Sequence, residues 1–275
     1  MFNLLKAAAA AGAAVSVVRS ARKQEPVCVA YSVTSGKVRS RIRIAVVADL
    51  HCTRYGDRQE KLADLVRTQQ PDFALFPGDT DDGRLGPEPA YDAVRAVSQI
   101  CPVYLILGNH EVWYRTEFNC ARAFETAGAR VLNPGHDVFT SDDGDRVRIL
   151  GIPDWYRFKN TRPKFERELE VLAAHAQPDM LNILLSHQPE IAGLYFSYPF
   201  DIAVSGHAHG GQWRLPGMEN GVFAPDQGIL PRYTGGIYRF PGGTLVVSRG
   251  LAQANTVIPR IMNPPELTVL DILPG

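Results

Sequence analysis

The chain has no excess of charge of either sign. Its 275 residues carry 29 Lys and Arg against 29 Asp and Glu. A protein that grips nucleic acid by its phosphates usually shows a basic surplus, so no nucleic-acid partner is expected. Cysteine is also scarce. The four present (Cys28, Cys52, Cys101 and Cys120) show no Cys-x-x-Cys spacing. That argues against a zinc knot or a disulfide framework and for free thiols in a reducing compartment, the cytoplasm. No apolar run reaches the ~20 residues that cross a bilayer. No Gly-x-Ser-x-Gly elbow of a serine hydrolase is found. The apolar share is 45% and the charged share 21%, an ordinary balance for a globular protein with a sizeable core.

The N-terminal apolar run, Ala7 to Val18, follows Lys6 and precedes Arg19, Arg22 and Lys23. It has the length of a signal-peptide core, but no small-x-small cleavage site follows it. The denser basic residues lie behind it, which disfavours export. Three readings stay open: a membrane-surface helix, a degenerate signal anchor, or a frayed tail. Peripheral contact with the inner face of the cell membrane is slightly preferred. The basic block Arg39 to Arg43 either adds attraction to anionic headgroups or is the solvated lead-in to a strand. Residues 1–40 are therefore set apart as an N-terminal segment and lead-in. With no internal repeat or low-complexity linker beyond them, residues 41–275 are expected to form one domain.

Within that domain the pattern is strand, helix, strand, helix, strand. Ile42 to Ala48 is apolar enough for a buried strand and ends in Asp49-Leu50-His51. Arg58 to Gln70 reads as a helix, opened by a capping box of Asp57 with Glu60 and stopped by Pro71. Phe73 to Phe76 is a strand ending in Pro77-Gly78-Asp79, and Pro87 to Gln99 is a helix. Val103 to Leu107 is a strand ending in Gly108-Asn109-His110-Glu111. The pattern is that of a parallel sheet, where ligands bind beyond the carboxyl ends of strands. Further on, Thr116 to Ala127 and Thr161 to Ala176 read as helices. Val131-Leu132, Val138-Phe139 and Val147 to Leu150 read as strands. Leu181 to Leu185 ends in Ser186-His187, and Asp201 to Ser205 ends in Gly206-His207-Ala208-His209. Tyr238 to Phe240, Thr244 to Val247 and Leu267 to Leu270 look like the last strands.

Histidines two residues apart on extended backbone point to one side, so His207 and His209 can face one pocket. Alone, such a pair also fits a solvated loop. Collected, however, the strand ends carry Asp49, His51, Asp79, Asn109, His110, His187, His207 and His209. Carboxylate, imidazole and amide oxygen together suit Mn²⁺, Fe²⁺ or Zn²⁺ rather than thiolate chemistry.

These motifs, Asp-x-His, Gly-Asp, Gly-Asn-His-Glu, His and Gly-His-x-His in that order, resemble the calcineurin-like metallophosphoesterase superfamily from about Ile42 onward. Gly206 to Gln212, with Tyr233 to Gly236, Ser248-Arg249-Gly250 and Pro265-Glu266-Leu267, resembles its bacterial YkuE/YaeI branch. That branch includes membrane-associated phosphodiesterases and UDP-2,3-diacylglucosamine hydrolases of the LpxG type. The resemblance implies an α/β fold, a sandwich of two mixed β-sheets flanked by α-helices. It implies two divalent metal ions, Mn²⁺ before Fe²⁺ or Zn²⁺. Asp49, His51 and His209 would hold the first, Asn109, His187 and His207 the second, with Asp79 bridging. His110 would steady a phosphate oxygen and protonate the leaving group. The implied activity is phosphoester hydrolysis (phosphodiesterase or pyrophosphatase) by in-line attack of a bridging hydroxide, with a lipid-linked substrate such as UDP-2,3-diacylglucosamine favoured. The alternatives are a phosphodiesterase without lipid preference and a non-catalytic scaffold. Ala208 stands where this branch often has Thr.

Other residues carry two readings. Asp82 either caps a loop or supports a ligand. Glu111 is expected to orient its loop, and Cys52 lies beside His51. Trp113, Tyr114, Trp155, Tyr156 and Phe158 are either core or the lining of an apolar substrate groove. Arg214 and Arg249 either pair with a substrate phosphate or are solvated. His136 and His175 match no motif.

Overall fold

The computed structural model describes residues 25–114, 117–158, 161–215, 217, 219–253 and 259–275. The apolar run at 7–18 and its basic flanks lie outside the described residues. Among the described residues no helix is long and apolar enough to cross a membrane.

In chain order the first half holds β1 (Val27–Ser35), β2 (Ile42–Val46), α1 (Glu60–Gln69), β3 (Phe73–Phe76), α2 (Glu88–Ser98), β4 (Val103–Leu105), α3 (Asn109–Tyr114), α4 (Glu117–Thr126) and β5 (Ala129–Val131). The second half holds β6 (Gly135–Thr140), β7 (Arg146–Ile152), α5 (Arg162–Ala173), β8 (Leu181–Ser186), α6 (Ala192–Tyr195) and β9 (Ile202–Ser205). It ends with β10 (Phe223–Ala224), β11 (Gly228–Ile229), β12 (Gly236–Phe240), β13 (Gly243–Val247) and β14 (Glu266–Pro274).

Two six-stranded sheets result, in the orders β1-β14-β2-β3-β4-β5 and β12-β13-β9-β8-β7-β6. Both are mixed. β2 through β5 run parallel, but β14 is antiparallel to β2. β7, β8, β9 and β13 run parallel, flanked by antiparallel β6 and β12. Alternation along each strand sorts side chains between two cores. Ile42, Ile44 and Val46 point into the space between the sheets, against Ile149, Ile183, Leu185 and Val204. Ala45 and Val47 point the other way, under Leu62, Val66, Val94 and Val97 of α1 and α2. In the second sheet Leu150, Leu184 and Val247 face Phe165, Leu169 and Leu172 of α5. Strands buried on both faces are apolar throughout, which is why they read as continuous runs.

Three departures from the sequence reading have local causes. β1 lies within the expected lead-in at 1–40. It pairs in parallel with β14, from Val27 opposite Glu266 to Ser35 opposite Pro274. It is an edge strand with only Val33 buried, so it shows little apolar pattern. The Asp57–Glu60 capping box does not form. Instead Arg58 and Gln59 turn left-handed, at φ 45° and 65°. The buried Gln59 side chain accepts from Tyr55 N and donates to the carbonyls of Thr53 and Pro89. That staple delays the helix to Glu60. Third, two members of the basic block are committed. Arg43 forms a two-pronged pair with Asp271, and Arg39 lies 3.3 Å from Asp145.

Candidate dinuclear metal centre

The parallel strands β2, β3 and β4 end at the same edge of the sandwich as β8 and β9. Their carboxyl ends release the site residues into short loops there. Two groups of ligand atoms come together, each within 4.8 Å: Asp49, His51 and His209, and Asp79, His187 and His207. All six are buried. Asn109 joins the second group through its Oδ1, 3.0 Å from His187 Nε2. His110 stands beside the first, its ring centroid 4.5 Å from that of His51. Asp79 links the groups, with its Oδ2 3.5 Å from His51 Nε2 and 3.3 Å from His187 Nε2.

The backbone reaches this arrangement by an unusual route. Asp49, His51, Asp79, His207 and His209 all have positive φ, between 46° and 66°. Such conformations cost about 1–3 kcal/mol each in non-glycine residues and gather at functional sites. The extended His-x-His geometry expected from alternation is therefore absent. Ala208 is right-handed between two left-handed histidines. The turn sends His207 to one group and His209 to the other.

Atom types in the second group call for a cation. His187 Nδ1 lies 2.7 Å from the carbonyl oxygen of Pro77 and must donate to it, so Nε2 keeps a lone pair in the neutral ring. His207 Nε2 lies 2.9 Å from Asp226 Oδ2 and donates there, leaving the lone pair on Nδ1. Those two lone-pair nitrogens are 3.2 Å apart, beside Asn109 Oδ1 and Asp79 Oδ2. Four acceptors facing one another need a positive charge among them. Burial works against a charged His187, but Asp79, by charge and hydrogen bond, and then Asp49 raise its pKa well above the ordinary value. In the first group, His209 Nδ1 is buried with no hydrogen-bond partner among the described residues. The donor set fits two divalent ions.

Neighbouring groups hold these side chains in place. Glu111 accepts N–H bonds from Asp79, Asp81 and Gly108, and so ties together the loops after β3 and β4. Its burial, and next the Asp79 charge, push its carboxyl up to about 8. Asp82 lies 3.4 Å from His51 Nδ1 and takes both prongs of Arg84. Burial alone would raise Asp82, but His51 and Arg84 hold it well below the usual range. Asp49 accepts the backbone N–H of His207. A Cβ at Gly206 would stand 2.6 Å from Asp49 Oδ2. Arg260, only 1% exposed, donates to the carbonyls of Ala252, Arg249, Gly250 and His209.

Several of these groups escaped the sequence. Asp154 is 1% exposed beyond β7, and its burial first of all pushes its pKa up to about 7. Glu190 and Asp226 gather with His207. Asp226 sits in an exposed turn with nothing local to distinguish it. Arg260 gave no signal because its partners are main-chain carbonyls.

Other expectations resolve differently. Cys52 is a thiol shared with Asp81 and the Asp82 N–H, and burial pushes it up to about 12. Arg249 is paired with Glu266, and Arg214 donates to the carbonyls of Gly210 and Glu219. Trp113 and Tyr114 are 46% and 48% exposed beside His110, and Tyr156 packs on Trp113. The Trp155 indole nitrogen is buried, and the Phe158 side chain lies outside the described residues. His136 and His175 pair with each other, ring centroids 4.2 Å apart, between β6 and the end of α5.

Comparison with known proteins agrees with this geometry. The calcineurin-like phosphoesterase family matches residues 42–211. The uncharacterized metallophosphoesterase YkuE of Bacillus subtilis is 26% identical over 84% of this chain and 78% of its own. Phosphodiesterase YaeI of Escherichia coli is 24% identical over 84% and 82%. UDP-2,3-diacylglucosamine pyrophosphatase LpxG of Chlamydia muridarum is 31% identical, over 47% of this chain and 38% of its own. With more than half of its length matched and a buried ligand set at the strand ends, this chain belongs to the calcineurin-like phosphoesterase family and is a metal-dependent phosphoesterase.

Proposed function

We propose that the protein is a two-metal hydrolase of a phosphodiester or pyrophosphate carried on an apolar, lipid-linked molecule. The observation behind the two-metal part is Asp79 Oδ2, placed between His51 and His187 so that one carboxylate joins two ligand groups. Asp49, His51 and His209 hold one ion, and Asn109, His187 and His207 the other. The oxygen and imidazole donors suit Mn²⁺, our preferred ion, as well as Fe²⁺ or Zn²⁺. When bound, two such ions lower the pKa of a water and stabilise charge on the oxygens of a phosphorus centre.

The chain's own residues do the rest. Glu111 fixes the Asp79 backbone, and the His110 N–H, donating to Asp79 Oδ1, orients the bridging carboxylate. His110 Nδ1 lies 2.9 Å from the carbonyl oxygen of Asp82 and donates to it, which fixes the ring. With that bond in place, the second proton of the charged imidazolium sits on Nε2, and that Nε2–H is the donor that steadies a phosphate oxygen or passes a proton to the leaving group, returning the ring to neutral. Trp113, Tyr114 and Tyr156 beside His110 offer apolar surface for the rest of the substrate. This feature, together with the similarity to the UDP-2,3-diacylglucosamine pyrophosphatase LpxG, supports the lipid-linked reading. Work at the inner face of the cell membrane, reached peripherally from the cytoplasm, suits such a substrate.

The test is hydrolysis by protein loaded with Mn²⁺ or Zn²⁺, against a chelated control. A generic phosphodiester, a generic phosphomonoester and UDP-2,3-diacylglucosamine are offered side by side. Metal-dependent turnover that favours the nucleotide lipid supports the whole proposal. Equal turnover of the simple diester removes the lipid assignment and keeps the chemistry. No turnover of any substrate, with metal bound, favours the scaffold reading.

A further inference from the structure

The turn between β10 and β11 places a carboxylate on the outer nitrogen of His207. We propose that Asp226 is the positioning residue for His207, setting its tautomer and aiming its Nδ1 at the second metal. This rests on the reading of His207 as a ligand.

Four observations carry it. Asp226 Oδ2 lies 2.9 Å from His207 Nε2. The opposite nitrogen, Nδ1, faces His187 Nε2 at 3.2 Å, on the side where the other donors converge. A carboxylate accepts and does not donate, so the proton sits on Nε2 and the lone pair on Nδ1. Finally, Asp226 sits in the left-handed region at φ 55°, a turn conformation that aspartate tolerates better than most residues and that presents its carboxylate to His207.

The turn is braced from behind. Gln227 accepts from the backbone N–H groups of Arg232 and Tyr233 and donates to the Tyr233 carbonyl. Ala224 on the same hairpin is fully buried. A surface turn that carries no recognised motif of its own is thereby made part of the metal site. Outer carboxylates of this kind typically govern 10–100-fold in metal affinity.

Glu190 offers a competing account. Both its carboxylate oxygens are buried without a hydrogen-bond partner among the described residues. One of them shares a 4.8 Å neighbourhood with a ring nitrogen of His207 and a carboxylate oxygen of Asp226. If Asp226 and Glu190 held an ion of their own, Asp226 would be a ligand and not a positioning residue.

The full chain, stripped of metal, is titrated with Mn²⁺ by calorimetry. Asp226→Ala, Asp226→Asn, Glu190→Gln and His207→Ala are run beside the wild type. Wild type is expected to bind two ions. Asp226→Ala should weaken one of them about 10- to 100-fold and leave the other unchanged. Asp226→Asn, whose amide oxygen still accepts, should lose less. In the Zn²⁺-loaded wild type, proton NMR should show a downfield, slowly exchanging His207 Nε2–H. Asp226→Ala should shift or lose that signal with little change in melting temperature, because the Asp226 side chain is 32% exposed. Unchanged affinity for both ions with an unchanged His207 signal overturns the proposal. So does a third ion in wild type that Asp226→Ala and Glu190→Gln both lose. Two ions retained in His207→Ala would instead overturn the ligand reading beneath it.

Discussion

His187 gives its Nδ1 proton to the carbonyl of Pro77, 2.7 Å away, across the seam between the two sheets. Pro77 follows β3 and His187 follows β8, so the bond ties the two halves of the sandwich together at the metal end. It also commits Nε2 of His187 to the site. His187→Ala should therefore remove one of two metal ions and lower kcat on the order of 100- to 1,000-fold. Elemental analysis and steady-state rates on the same sample check this. Two ions in the variant would contradict the assignment.

Gly206 leaves room for a ligand that alanine would fill. The added methyl would stand 2.6 Å from Asp49 Oδ2, while Gly250 closes on Asp49 Cβ from another side. Gly206→Ala should displace the Asp49 carboxylate and weaken the first ion at least about tenfold, with the second retained. Metal titration distinguishes this from general unfolding, which would lose both ions together.

His110 lies at the site without belonging to the two main ligand groups. His110→Ala should keep both ions and lose about 10²- to 10⁴-fold in kcat. The loss should shrink for diesters with very acidic leaving groups, which depart without a proton. A series of aryl phosphodiesters measures that dependence. A uniform loss across the series would remove the acid role.

Trp113 bears on the substrate. It is 46% exposed and packs on Tyr156 beside His110. Trp113→Ala should lower kcat/KM about tenfold for a lipid-linked pyrophosphate, matching the apolar area removed. A small soluble diester should be little affected. Equal effects on both would detach Trp113 from apolar recognition.

Asp145 provides a test of stability far from the metals. Its carboxylate accepts from the backbone N–H groups of Arg39 and Ser40 and from the Ser40 hydroxyl. Although burial opposes it, these bonds, led by those from Ser40, lower the pKa to about 2. The folded value is below the unfolded one of ~3.9. The bonds therefore stabilise the fold above about pH 4, and the benefit fades as pH falls through about 2. Asp145→Asn should destabilise metal-free protein by about 1–3 kcal/mol at pH 7 and flatten the acid limb between those values. Urea unfolding at several pH values reads both effects.

The sequence by itself determined the buried central strands and the residues that leave them, though not the edge strand β1 or the short β10 and β11. The strands that carry the site, β2, β3, β4, β8 and β9, are almost wholly buried and so mostly apolar, and Asp49, His51, Asp79, Asn109, His187 and His207 stand just past their ends. Those are local signals, written within a few residues of chain. Only the tertiary structure decided how the strands divide between two sheets and that β1 pairs with β14. It also set the left-handed turn that parts His207 from His209, which alternation alone would have kept together. It alone placed Asp226 on His207, Arg260 behind His209 and Pro77 against His187. The reason is physical. These choices rest on hydrogen bonds and close packing between residues far apart in the chain, and no periodicity or spacing encodes which distant carbonyl or carboxylate a buried nitrogen will meet.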